Sequence, residues 1–71
     1  MGSVYKVVEL VGTSTDSWED AARTAVSTAG KSLRDLRVAE VSALDIHLAE
    51  DGSVSEFRAK LKVSFKHEAG D

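Results

Sequence analysis

The chain has 71 residues, no cysteine and a formal net charge of −3 at pH 7. A chain of this length predicts one domain (1–71) with a small core, because only about 60% of the unfolded surface is buried at this size and no disulfide or thiolate metal site can supplement it. The interspersed charges give no basic surface for nucleic acid, and no apolar run approaches the ~20 residues of a membrane span. We therefore expect a cytoplasmic protein that completes its core by associating with copies of itself.

The first predicted element is a strand over Val4–Val11. This segment is β-branched and apolar on both faces, and it is followed by Gly12, where we expect the strand to stop. A single helix can cover one face of such a strand. The other face is therefore expected to contact another subunit.

A helix is predicted next. Thr13–Ser17 is a helix-entry segment, and Asp16 with Glu19 has the spacing of a capping box that uses Asp in place of Ser or Thr. Apolar side chains then recur at helical spacing over roughly five turns. They are Trp18, Ala22, Ala25, Val26, Ala29 and Leu33. Because most of them are small, the helix is expected to lie close to the sheet, with Trp18 as an anchor near its N-terminus.

The second half of this helix, Ala25–Ser32, resembles a relaxed phosphate-binding loop with Ala in the first glycine position. Phosphate loops need free backbone amides at a helix N-terminus. Here the amides lie inside the predicted helix. The segment is therefore interpreted as the tail of an amphipathic helix, in which Gly30 allows close packing.

A second strand is predicted over Val38–Leu48, joined to the helix by Arg34–Arg37. The apolar residues at 38, 39 and 41 cannot all face one way in a regular strand. A bulge or sharp coil is therefore expected near Ala39–Val41.

The clearest periodic pattern is a strand over Ser53–Lys66, in which odd residues from Phe57 to Phe65 are apolar and the even residues between them are polar. The preceding Asp51-Gly52 pair favours a two-residue type I′ turn. That turn fixes a register with these opposed pairs: Leu44 with Ala59, Asp45 with Arg58, Ile46 with Phe57, His47 with Glu56, and Leu48 with Ser55.

The order strand, helix, strand, strand predicts an α+β protein. With the last strand paired between the first two, the sheet is antiparallel and three-stranded, of order 1-3-2, and packs on one helix. His67–Asp71 is predicted to be a polar tail that frays.

Two groups on the polar sheet face are candidates for binding. Asp45, His47 and Glu56 form a candidate cation site for calcium or magnesium, to which one subunit contributes too few ligands unless symmetry multiplies them. The simpler interpretation of His47 is a surface residue paired with a carboxylate, to which the cation site is the functional alternative. The row Arg58, Lys60 and Lys62 suits an anion such as a nucleotide phosphate, or forms a solvated, salt-bridged face.

With two histidines and no Gly-x-Ser-x-Gly elbow, a nucleophilic triad is not supported.

Five segments in chain order resemble the dodecins. They are Val4–Ser14, Ser17–Ala22, Leu33–Arg37, Glu50–Gly52 and Lys60–Phe65. The resemblance implies a small β-α-β-β protein, twelve copies of which form a hollow sphere of cubic symmetry. It also implies a flavin, riboflavin or flavin mononucleotide (FMN), bound in pairs between subunits for storage or quenching, with no enzymatic activity.

The chain departs from the flavin-binding dodecins at the residues that contact flavin. The family's stacking tryptophan falls at Val38, the next aromatic at Ala39, and the family's glutamine at Arg58. Loss of an aromatic platform removes roughly 1–3 kcal/mol per stacked ring, so the usual flavin stacking is expected to be weakened. Together with Asp45, the residues at these positions make the sequence similar to a dodecin subgroup that is linked to calcium. The resemblance thus implies a re-lined pocket at Val38, Asp45 and Arg58 for a flavin or nucleotide type of ligand, or alternatively a calcium-binding or purely structural shell.

Overall fold

The computed structural model describes residues 2–67. The chain forms β1 (Val4–Ser14), α1 (Trp18–Gly30), β2 (Leu36–Leu48) and β3 (Val54–His67). The central strand β3 pairs antiparallel with both neighbours, which gives the sheet order β1-β3-β2. The predicted α+β topology and strand order are confirmed. Of the predicted polar tail, His67 belongs to β3, and residues 68–71 lie outside the described residues.

The core lies between β3 and α1. Ala59, Leu61 and Val63 alternate along β3 and are buried against the helix, as the sequence pattern predicts. The helix contributes a line of small buried residues at four-residue spacing. They are Ala21, Ala25 and Ala29, with Ala22 and Val26 half-buried beside them. The buried line therefore includes Ala21, which the sequence analysis did not select, and the helix ends before Leu33.

Gly12 allows the helix to approach the sheet this closely. The strand β1 continues through Gly12 to Ser14 and does not stop there as predicted. A Cβ atom at Gly12 would overlap the carbonyl oxygen of Ala21 and lie 2.9 Å from the Cβ atom of Ala25. The absence of a side chain at this position is therefore a packing requirement.

The helix is shorter than predicted and is capped by a different residue. It has 13 residues, and its N-cap is Ser17, whose hydroxyl accepts the Asp20 amide at 3.0 Å. Ser17 has the extended backbone that an N-cap needs, so the capping box predicted at Asp16 and Glu19 is wrong. The Asp20 carboxylate instead accepts the Ser14 hydroxyl at 2.7 Å, which ties the end of β1 to the first turn of α1.

The hairpin between β2 and β3 has the predicted register over four pairs, Leu44/Ala59, Asp45/Arg58, Ile46/Phe57 and His47/Glu56. Its turn is one residue longer than predicted. Ala49 donates to Ser53, Gly52 donates to Ala49, and Gly52 has positive φ where Asp51 does not. These features match a three-residue loop with a left-handed glycine. Leu48 consequently pairs with Val54, and Ser55 is left as a bulge.

The irregularities of β2 lie at Arg37 and Ser42, on either side of the position predicted for them. The strand is continuous over Ala39–Val41. The bulge at Ser42, whose hydroxyl donates to the Lys60 carbonyl at 3.2 Å, lets Val41 and Leu44 both face the helix side of the sheet. Ala39 and Val41 therefore share the helix side with Leu44, whereas Val38 lies on the opposite side of the sheet.

The helix packs over β1 and β3 and leaves most of β2 uncovered. On the helix side of β2, Val41, Leu44 and Ile46 remain substantially exposed, and we call these three residues the uncovered row. Trp18 makes the main connection from the helix to this region. Its indole Nε1–H donates to the Asp45 carbonyl at 3.0 Å, and its ring meets Phe57 edge-to-face with centroids 5.1 Å apart. Trp18 is thus a helix anchor.

No helix within residues 2–67 has the length and apolar character to span a membrane.

Candidate ligand-binding face

The sheet surface opposite α1, here called the helix-free face, carries the charged candidates. Side chains alternate across a strand, so the even-numbered residues of β3 and their neighbours on β1 and β2 share this face. Its members are Tyr5, Glu9 and Val11 on β1, Val38, Glu40, Asp45 and His47 on β2, and Glu56, Arg58, Lys60 and Lys62 on β3. The predicted ligand and metal residues therefore all lie on one side of the sheet.

Asp45 and Arg58 form a bidentate ion pair on this face. The guanidinium donates from Nε to Oδ1 at 2.6 Å and from a terminal nitrogen to Oδ2 at 2.8 Å. The hydrogen bond from Arg58 holds the pKa of the Asp45 carboxyl below its usual range, and the same bond raises the pKa of Arg58. The side chains are 38% and 40% exposed respectively, so water screens the pair.

His47 and Glu56 occupy the next opposed pair toward the hairpin turn. Nδ1 of His47 lies 3.6 Å from Oε1 of Glu56, beyond hydrogen-bond distance, and the histidine side chain is mostly exposed. This arrangement matches the predicted surface pairing of His47 with a carboxylate.

The predicted metal residues do not form a cation site within one chain. Across residues 2–67, no three His, Cys, Asp or Glu side chains come together in a group suited to a metal ion. Asp45 and His47 are two positions apart on β2, about 7 Å along the strand. Both Asp45 oxygens also accept from Arg58. Any cation at Asp45 must therefore displace the guanidinium or bind beside it.

Val38 lies far from the ion pair along the same face. It is opposite Ser64, six positions along β3 from Arg58, a separation of about 20 Å. The Val38 residue is 62% exposed. One chain therefore does not bring the three predicted ligand residues into one site, although it places all of them on one surface.

The two lysines beyond Arg58 have different neighbours. Lys62 lies between Glu9 and Glu40, whereas Lys60 lies between Val11 and Ala43. In the part of the chain that the structure describes, neither lysine has a carboxylate oxygen within 4 Å. Negative charge therefore flanks Lys62 only at longer range, and the cationic row is incompletely neutralised.

A cleft of about 310 Å³ lies next to Lys60, and it includes two residues that sequence reasoning missed. Glu9 enters from β1 and Ser42 from the bulge of β2. Neither is near Lys60 in the sequence. The register of β1 on β3 and the position of the bulge bring them together, and the residue pattern specifies neither.

The segment resembling a phosphate loop has no free amides at its end. The amides of Lys31 and Ser32 donate to the carbonyls of Thr28 and Ala29. This supports its interpretation as the tail of a helix.

The same β-α-β-β fold, with a three-stranded sheet and one helix, is found in solved dodecin structures. The dodecin family model matches residues 4–68, and this chain belongs to the dodecin family.

Two named relatives span nearly the whole chain. Calcium dodecin of Mycobacterium tuberculosis is 48% identical over 64 residues, which cover 90% of this chain and 89% of that protein. Dodecin of Thermus thermophilus is 44% identical over 68 residues, covering 96% and 97%. The crystal structure of the M. tuberculosis calcium-chelating antigen calcium dodecin, which has a novel calcium-binding site, matches with a TM-score of 0.83 at 45% identity, covering 97% of each chain.

Proposed function

We propose that this protein is a non-enzymatic dodecin that assembles into a hollow dodecamer and holds a small ligand of flavin or nucleotide type between subunits, with a cytoplasmic location as the sequence predicts. The observation that carries the proposal is the separation of Val38 from the Asp45–Arg58 pair. They share the helix-free face but lie about 20 Å apart. A flavin ring that touches both must therefore bridge two chains.

Exposed apolar surface on both sides of the sheet supports self-association. On the helix side the uncovered row is exposed, and on the helix-free face Tyr5 and Val11 of β1 are more than half exposed. Soluble monomers rarely expose extended apolar surface on two sides. Closed symmetric homo-oligomers are the common way to cover it.

Flavin is expected to bind weakly in this pocket. Val38 offers no π surface for stacking, and Arg58 is already bonded to Asp45. We expect riboflavin affinity at least tenfold below that of a dodecin with Trp and Gln at these positions, or about 1.4 kcal/mol.

Titration of riboflavin with fluorescence quenching tests this part of the proposal. Val38→Trp should bind riboflavin about tenfold more tightly than wild type, because it restores a stacking surface. Val38→Leu is the matched control, since it adds bulk without a π system. Submicromolar binding by wild type, or equal gains in the two variants, would contradict the assignment of Val38.

Calcium is the second candidate ligand, favoured by the 48% identity to a relative named calcium dodecin. In this reading Asp45, His47 or Glu56 joins carboxylates of a neighbouring subunit, because one chain supplies too few ligands. Calorimetric titration should show calcium uptake by wild type and its loss in Asp45→Ala. If wild type takes up no calcium at millimolar concentration, the metal proposal is wrong. If the protein binds neither riboflavin nor calcium, the remaining candidate function is that of a purely structural shell.

A further inference from the structure

We propose that Asp45 selects the charge of the ligand: by holding the Arg58 guanidinium, it keeps phosphate groups off that side chain, so that the site at Arg58 does not favour phosphate-bearing ligands over neutral ones. This deepens the proposed function and rests on ligand binding at the same face. Asp45 is then a specificity-determining residue.

The geometry of the ion pair carries the proposal. A guanidinium binds carboxylates and phosphates through the same fork of parallel N–H groups. In this chain Asp45 fills that fork, at 2.6 and 2.8 Å. The carboxylate therefore occupies the place that a phosphate of a bound nucleotide would take.

The local charge balance points the same way. The ionised groups that act on the pair are Glu56, two positions before Arg58, and Lys60, two positions after it, with His47 beside Asp45. Apart from His47, two carboxylates thus face two cations, and these four groups together carry no net charge. Removal of either carboxylate leaves one positive charge in excess, but only removal of the Asp45 carboxylate also frees the N–H groups of Arg58 to bind an anion.

The position of Asp45 is fixed by contacts that do not involve its carboxylate. Its carbonyl accepts the Trp18 indole N–H at 3.0 Å, and its strand register sets it opposite Arg58. Since these backbone contacts remain when the carboxylate is removed, substitution of Asp45 should change the charge at this position while the sheet keeps its pairing.

Riboflavin and FMN form a suitable pair of probes, because they share one ring system and differ in a phosphate. Wild type should bind the two with dissociation constants within about threefold of each other, while in Asp45→Asn and Asp45→Ala the ratio of the two dissociation constants should shift about tenfold in favour of FMN. Low ionic strength keeps screening small. Glu56→Gln is the matched control, since it removes a carboxylate on the same face that does not bond to Arg58.

The Glu56→Gln control distinguishes two causes of a stronger preference for FMN: release of Arg58 from Asp45, and loss of any negative charge on this face. If Glu56→Gln raises the preference for FMN as much as Asp45→Asn does, or if the Asp45 variants leave that preference unchanged, the proposal is overturned.

A second probe keeps the proposal testable if no variant binds a flavin, a result that would refute the flavin part of the proposed function. Inorganic pyrophosphate at millimolar concentration should raise the melting temperature of Asp45→Ala more than that of wild type. Adding Arg58→Gln to Asp45→Ala should abolish the additional rise. An equal rise in wild type, or none in Asp45→Ala, would overturn the role given to Asp45.

Discussion

Two leucines on the same side of the sheet show how differently its two halves are completed. Leu61 of β3 lies under α1 and is 1% exposed, whereas Leu44 of β2 is 51% exposed. The half formed by β1 and β3 has its cover within the chain. The half formed by β2 does not, and we assign its cover to other subunits of the proposed assembly. In the proposed assembly, a small chain that is complete in fold would have its functional surfaces completed by copies of itself.

The helix explains the difference. Its buried line consists of alanines, and its 13 residues lie so close to β1 that Gly12 must have no side chain. Close packing over β1 and β3 leaves the helix out of reach of most of β2. Trp18 is long enough to reach across to Asp45 and Phe57.

The largest loss of stability is expected at Gly12, where the helix lies closest to β1. Gly12→Ala should lower the free energy of unfolding by about 3 kcal/mol, because the new methyl group overlaps the Ala21 carbonyl. Gly30→Ala is the matched control. Its new Cβ meets Leu36 at 3.9 Å, so it should be neutral or stabilising by up to about 1 kcal/mol. Urea unfolding followed by circular dichroism measures both, and equal losses would refute the close approach at Gly12.

The two leucines themselves give the next comparison. Leu61→Ala should cost about 3 kcal/mol of folding free energy, because it opens a cavity in the core. Leu44→Ala should keep the secondary structure and instead make the assembly dissociate at higher protein concentration. Urea unfolding and light scattering on dilution separate the two effects. If Leu44→Ala unfolds as readily as Leu61→Ala at unchanged particle mass, the assignment of the uncovered row to an interface fails.

A smaller effect is expected from acid at the Asp45–Arg58 pair. Because Arg58 lowers the pKa of Asp45 in the folded chain, the pair stabilises the fold above the unfolded carboxyl pKa of about 3.9 and loses this contribution as pH falls through the lower folded value. Wild type should therefore be more stable than Asp45→Asn near neutral pH, and the difference should vanish in stronger acid.

Urea midpoints of both proteins across this range provide the measurement. The Ser53 hydroxyl also lowers the pKa of Asp51, but this contribution is common to both proteins and cancels in the difference. A difference that stays constant down to the lowest pH would contradict the ion pair as its source.

The sequence predicted those parts of the fold that depend on alternation along one strand. The apolar row of β3, its polar row and the register from Leu44 to His47 all follow from side chains that alternate with period two. Adjacent opposite charges at Asp45 and Arg58 favoured the same register. The strand order followed from the short hairpin and the single crossover helix.

The parts that the sequence did not predict depend on choices between close local alternatives. Asp51-Gly52 fits both a two-residue turn and a three-residue loop, and the bond from Ala49 to Ser53 decides for the longer one. Asp16 and Ser17 are both good N-caps, and the contact of Ser14 with Asp20 accompanies Ser17.

The candidate site was predicted as a set of residues on one face, but not as a geometry. Val38 and Arg58 were grouped by resemblance, and strand length separates them by about 20 Å. Glu9 and Ser42 were missed, because contacts across three strands leave no local signal in the sequence.

Native mass spectrometry of the protein at micromolar concentration tests the central claim most directly, namely that copies of the chain complete the functional surface. We expect a closed dodecamer, with any ligand retained from the cell seen as added mass on the assembled particle alone. A stable monomer at this concentration, or ligand carried by single chains, would contradict it.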